Sequence, residues 1–177
     1  MLRLRSFMAF FAALAILSIV GIMGCSQAPT ANIEAEDSDN QVLLSRSPSV
    51  AKLLGESASF ETIVSAKEGG VVRLLDVELS FPPFALSNDT LISIDIPDLS
   101  LFANDFGTDG LVFNVPVKVV MSYRDADLSG VDESAIKMAW FNNSTDSWDI
   151  IDCQLDISAK TVTAFVNHFS AYGLISD

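Results

Sequence analysis

A chain of 177 residues with 50% apolar content is long enough for one domain with a sizeable core, and too short for two of ordinary size once its ends are set aside. Arg3 and Arg5 precede Cys25 and all 23 acidic residues follow it, so the part after the signal segment carries a net charge of −15, against −13 for the whole. That sign argues against nucleic acid and against electrostatic attachment to anionic lipid, since either partner would be repelled.

Met1 to Arg5 is basic, Ser6 to Met23 is nearly all apolar, and Gly24-Cys25 closes the run. These are the three parts of a secretory signal peptide, here residues 1–24 as a signal helix. The run is short for a membrane span and gives way at once to polar, turn-forming residues. Ile22-Met23-Gly24-Cys25 resembles the lipobox of bacterial lipoproteins. The resemblance implies cleavage between Gly24 and Cys25, diacylglycerol and palmitate-type acyl chains on Cys25, and anchoring to the membrane, which several chains on one residue make stable. Ser26 resembles the outer-membrane sorting class, so the expected location is extracytoplasmic, at the outer membrane if the cell is Gram-negative. The alternative is an ordinary signal peptide with an incidental cysteine. With Cys25 consumed by lipid, Cys153 has no partner for an intrachain disulfide. Its alternation with Ile151 and Leu155 places it in a strand as a small core-facing hydrophobe.

From Ser26 to about Asn40 the chain is polar and acidic with one proline and no apolar period, which predicts a flexible linker. The linker is taken to span 25–56, with a short helix near Val50, Leu53 and Leu54 that Ser49 would cap. Period-two runs follow at Phe60 to Val64, Val71 to Leu75, Val77 to Phe81 and Leu91 to Ile96, punctuated by Gly69-Gly70, Pro82-Pro83 and Asn88-Asp89. Val112 to Tyr123 reads as a long strand in which Pro116 demands an edge position or a bulge. Hairpins are expected around Asn142 to Ser147 and Asp156 to Lys160, with a last strand at Tyr172 to Ile175. The pattern predicts an all-β domain over 57–177, an antiparallel β-sandwich of about seven to nine strands. Trp140, Trp148, Phe113, Phe141, Phe165 and Phe169 are read as core and cross-strand packing.

The order of these pieces resembles the ZU5 domain, the β-sandwich module of ankyrins, netrin receptors and death-domain scaffold proteins. The landmarks are Gly69-Gly70 before a strand, Phe81-Pro82-Pro83-Phe84-Ala85-Leu86, the Pro116 to Tyr123 strand, the Trp148 hairpin and His168-Phe169-Ser170-Ala171-Tyr172. Phe84 departs from the pattern, standing where the family commonly has glycine. The resemblance implies a binding or scaffolding module. In some relatives the same His-Phe-Ser run is autoproteolytic, which implies Ser170 as nucleophile, His168 as base and the Phe169 carbonyl as electrophile. The same triplet before a closing strand can equally be structural.

One further constellation is Asp125, Asp127 and Ser129 at alternate positions with Gly130 sixth, followed by Asp132 and Glu133. Oxygen ligands so spaced resemble the start of a calcium loop, but Ile136 stands at the twelfth position, so Asp132 or Glu133 would have to replace the bidentate glutamate. The competing reading is a solvated turn. With one histidine, no CxxC and no glycine-rich phosphate loop, no conventional enzyme is expected, and no cofactor beyond that calcium ion. The expectation is a membrane-anchored, non-enzymatic binding or structural module of the cell envelope with an unidentified protein or envelope ligand. The alternatives are single-turnover autoproteolysis and calcium-stabilised adhesion.

Overall fold

The computed structural model describes residues 41–108 and 110–176. The signal helix, Gly24, Cys25 and the first part of the linker lie outside the described residues. In chain order the strands are β1 (Val42–Leu43), β2 (Ala58–Val64), β3 (Gly70–Leu74), β4 (Val77–Phe81), β5 (Thr90–Ile96) and β6 (Ala103–Gly107). They continue with β7 (Val112–Ser122), β8 (Lys137–Asn142), β9 (Ser147–Ile150), β10 (Cys153–Asp156), β11 (Thr161–His168) and β12 (Ala171–Ser176).

All pair antiparallel, in two sheets. One is ordered β2-β5-β6-β12-β8-β9, with β1 on β12, and the other β10-β11-β7-β4-β3. Period two decides which side chains go inside, because alternate residues face opposite sides of a pleated strand. Thus Val77, Leu79 and Phe81 of β4, Ile92, Ile94 and Ile96 of β5, and Val117, Val119 and Met121 of β7 are all buried between the sheets.

The sandwich is as expected, but it has twelve strands among the described residues and not seven to nine. β1 and β6 are strands that periodicity did not expose. Pro116 is not at an edge, since β7 lies between β11 and β4. It occupies an irregularity instead: β11 pairs Val166 with Val117 and then His168 with Val112, so the prolyl segment leaves the ladder. Phe113 and Phe169 are core residues, and Phe141 meets Trp148 across the β8–β9 hairpin with ring centroids 5.4 Å apart. Phe165 is not packed: it points outward opposite Lys118 and is 63% exposed.

Residues 42–56, assigned to the linker by sequence, carry β1 and the helix α1 (Pro48–Leu54). Leu44 is buried, its N–H donating to the Leu174 carbonyl at 2.8 Å and its carbonyl accepting from Phe102 at 3.0 Å. Arg46 is buried too, donating from Nε to the Leu99 carbonyl at 2.9 Å and from a guanidinium nitrogen to Asp76 at 3.3 Å, above the Phe102 ring. The N-cap of α1 is Ser47, not Ser49, because Pro48 takes the first helical position, where its missing N–H costs nothing.

The register gives the sandwich two ends. At the Ser170 end lie the start of β12, the end of β11 and the 82–89 and 107–111 loops. At the Arg46 end lie β1, α1, the end of β12 and the β3–β4 turn.

Candidate functional site

His168-Phe169-Ser170 is the link from β11 to β12. Phe169 is fixed by its ring, which packs edge-on against Phe113 at 4.8 Å and Phe81 at 5.9 Å. Its backbone is clamped by the 107–111 loop: the Phe169 N–H donates to the Leu111 carbonyl at 3.0 Å and the Phe169 carbonyl accepts from the Gly110 N–H at 3.2 Å. Gly110 has φ of 73°, in the region glycine enters without strain.

The imidazole Nδ1 of His168 lies 3.3 Å from that same Phe169 carbonyl oxygen, its ring edge-on to Trp140 at 5.0 Å. With the proton on Nδ1, the carbonyl has two donors, the arrangement that stabilises an oxyanion. The Ser170 hydroxyl donates elsewhere, to the Phe141 carbonyl at 3.3 Å. It is 8% exposed and borders a cleft of about 360 Å³ with Asp105, Phe106, Phe141 and Asn143. The structure therefore brings together the three residues expected from sequence, but puts the imidazole on the electrophile and not on the nucleophile expected to give it a proton. Tyr172 holds the histidine segment in place, its hydroxyl donating to the His168 carbonyl at 2.9 Å. Burial pushes the Tyr172 phenol well above its ordinary range.

At the same end, the 82–89 loop presents a residue that sequence marked only as a departure. Phe84 has φ of 65° and is 64% exposed. Left-handed backbone costs a side-chain-bearing residue roughly 1–2 kcal/mol. It is held there by its N–H to the Ala66 carbonyl at 2.7 Å and by the Asn114 amide on its own carbonyl at 3.4 Å. Neither Phe169 nor Ser170 is among the described non-glycine residues with positive φ.

The acidic loop is occupied by its own turns. Asp127 accepts from the Ser129 N–H at 3.0 Å, Asp132 accepts from the N–H and hydroxyl of Ser134, and Asp125 and Asp132 are exposed. Glu133 faces Tyr123 and Lys160. Hydrogen bonds from Ser129 and Ser134 hold the Asp127 and Asp132 carboxyls below their usual range, and those from Lys160 and Tyr123 do the same for Glu133. Among the described residues, no three His, Cys, Asp or Glu side chains are grouped to hold a metal ion. Cys153 is half-buried against the core, and its sulfur accepts the Met138 N–H at 3.3 Å.

Neither a protein-family model nor a curated protein sequence matches the chain.

Proposed function

We propose that this chain is a lipid-anchored extracytoplasmic protein whose ZU5-like sandwich is a non-catalytic binding module of the cell envelope. The observation that carries the binding role is Phe84. A strained backbone persists only where its surroundings hold it, and such residues gather at recognition sites. Here the strain exposes an aromatic ring, the side-chain type that dominates protein interfaces. The address rests on the basic, apolar and Gly24-Cys25 parts of the leader.

The test is a photo-crosslinking amino acid placed at Phe84 in cells, with Ile157 at the other end as the control position. A discrete adduct from position 84 and none from 157 is expected. No adduct at 84, or the same adducts at both, would sink the binding role. The intact mass of the purified protein tests the address separately, since cleavage before Cys25 with added acyl mass is the expected result.

Self-processing is a second reading, favoured by the Gly110 N–H and the His168 Nδ1 that both lie against the Phe169 carbonyl. Attack by the Ser170 oxygen on the Phe169 carbonyl carbon would break the peptide C–N bond and form an ester, with the proton passing to the freed amine. Water would then hydrolyse the ester, regenerating the hydroxyl and leaving a carboxylate on Phe169. A soluble form beginning at Ser26 is compared by denaturing mass measurement with its Ser170→Ala variant. Denaturation is needed because β12 is paired on both sides, by β8 and by β6 and β1, and would stay bound after cleavage. Loss of the segment after Phe169 from the parent alone supports this reading, and an uncut parent removes it.

A further inference from the structure

The Arg46 end carries apolar side chains that nothing in the sandwich covers. None of the seven residues of α1 is buried, and Leu53 is 86% exposed. Next to it the β3–β4 hairpin turns through Leu75, a position with φ of 50° where Asn or Gly is the usual choice. Leu75 is 54% exposed and borders one groove with Leu54 and Arg124. Lys52 lies in the last turn of α1. Exposed leucines on a surface element are the apolar part of segments that lie in a bilayer interface.

The chain's own attachment says which surface covers them. Val42 pairs with Ser176 at this same end, and it comes 17 residues after Cys25, a length that spans at most about 60 Å even when fully extended. The chain that would carry an anchor at Cys25 enters the fold here, so along the chain this end is nearer the anchor than the Ser170 end is. We infer that the Arg46 end docks on the bilayer that holds the anchor, with Leu53, Leu54 and Leu75 entering its interface. The inference rests on the lipid-anchor reading above. The contact is apolar: Asp76 and Asp125 share the groove, so anionic lipid adds nothing to it.

The experiment compares amide hydrogen exchange in the lipidated protein, reconstituted in phosphatidylcholine vesicles, with a soluble form beginning at Ser26. The reference keeps all the described residues, 41–108 and 110–176. Amides of 49–55 and of the Leu75 turn are expected to slow by at least about tenfold in vesicles, as a weak contact does when tethering raises its effective concentration to millimolar. Amides of the 82–89 loop are expected to be unchanged, and Leu53→Asp, a substitution at an exposed position, is expected to abolish the slowing. Lipid mass on Cys25 with unchanged exchange at 49–55 overturns the docking alone. Absence of that lipid mass overturns the anchor and the docking together. Equal slowing at both ends would show burial without orientation and also overturn it.

Discussion

The two ends of the sandwich hold their non-repetitive segments by different means. At the Arg46 end a charged group does the work: one buried guanidinium ties the arm before α1 to the 99 carbonyl and to the β3–β4 turn. At the Ser170 end the work is done by aromatic packing around Phe169 and by backbone hydrogen bonds from the 107–111 loop. Charge pairing depends on pH and fails badly when one partner is removed, whereas ring packing is indifferent to pH. Each end also displays a bulky apolar residue in left-handed backbone, Leu75 at one and Phe84 at the other. The same device thus stands at the end where β1 enters the fold and at the end away from it.

Removing the guanidinium gives the largest expected effect. Arg46→Ala leaves the Asp76 carboxyl and the Leu99 carbonyl buried without their partner, a change that costs about 3–5 kcal/mol. Equilibrium denaturation of the soluble protein should show this as a fall in midpoint. A loss below about 1 kcal/mol would mean that the arm is held by Leu44 and its neighbours and not by the ion pair. Replacing both partners, Arg46→Met with Asp76→Leu, should recover most of the loss, because no charge is then stranded.

The pH response of the same pair comes next in size. Burial raises the Asp76 pKa, outweighing the lowering by Arg46. The folded state therefore binds this proton more tightly than the unfolded chain does. The contribution is full below the unfolded value near 3.8 and is lost as pH rises through the folded value. Relative to Asp76→Asn, the parent should lose stability with rising pH across that window, with a slope no steeper than about 1.4 kcal/mol per pH unit. An opposite slope would place the Arg46 attraction above the burial cost. Asp98, Asp127, Asp132, Glu133 and Asp156 act with the other sign, since hydrogen bonds lower their pKa values. Their support is lost as pH falls through the folded values, and Asp76→Asn leaves them untouched.

Phe84→Gly separates strain from recognition. Glycine adopts φ of 65° freely, so thermal or denaturant unfolding should show a gain of about 1 kcal/mol, while any adduct or partner dependent on the ring is lost. A variant that is less stable than the parent would mean that the ring packs on its neighbours, and the exposed-hot-spot account would fail.

Sequence reveals what period two controls. β4 and β5 fall where alternation puts them because both bury every second residue. β6 escapes notice because its inward positions include Asn104, a buried amide whose Nδ2 has no partner, and its outward ones include Asp105, so the run resembles the turn residues that follow. β1 is two residues long and is recognisable only by its pairing with β12. In the candidate site, the His-Phe-Ser run identifies the residues but not their roles. The Gly110 N–H on the Phe169 carbonyl and the Phe141 carbonyl that takes the Ser170 hydroxyl come from chain segments about 30 residues away or more, and the turn of the neighbouring imidazole onto the Phe169 carbonyl shows only in three dimensions. Phe84 is visible in sequence as an aromatic after Pro82-Pro83; its positive φ becomes apparent only when the Ala66 and Asn114 contacts are known.

The smallest effect is expected from metal removal, and it bears on the Arg46 end, where the acidic loop also lies. Asp127 and Asp132 close their own turns on Ser129 and Ser134, and Glu133 pairs with Lys160 while accepting the Tyr123 hydroxyl. For calcium to bind, these carboxylates would have to give up those bonds and converge, and the loop lacks the twelfth-position glutamate that normally draws such a site together. A ligand stabilises a fold by its binding free energy alone, so a site that must first break its own turns has little to contribute. Melting the soluble protein in millimolar calcium and again in excess chelator should leave the midpoint within about 1 °C, well under the 2–4 °C that about 1 kcal/mol produces in domains of this size and above. A larger drop in chelator would mean that the loop rearranges around an ion, and the Lys160–Glu133 pair would then be the contact to test for loss.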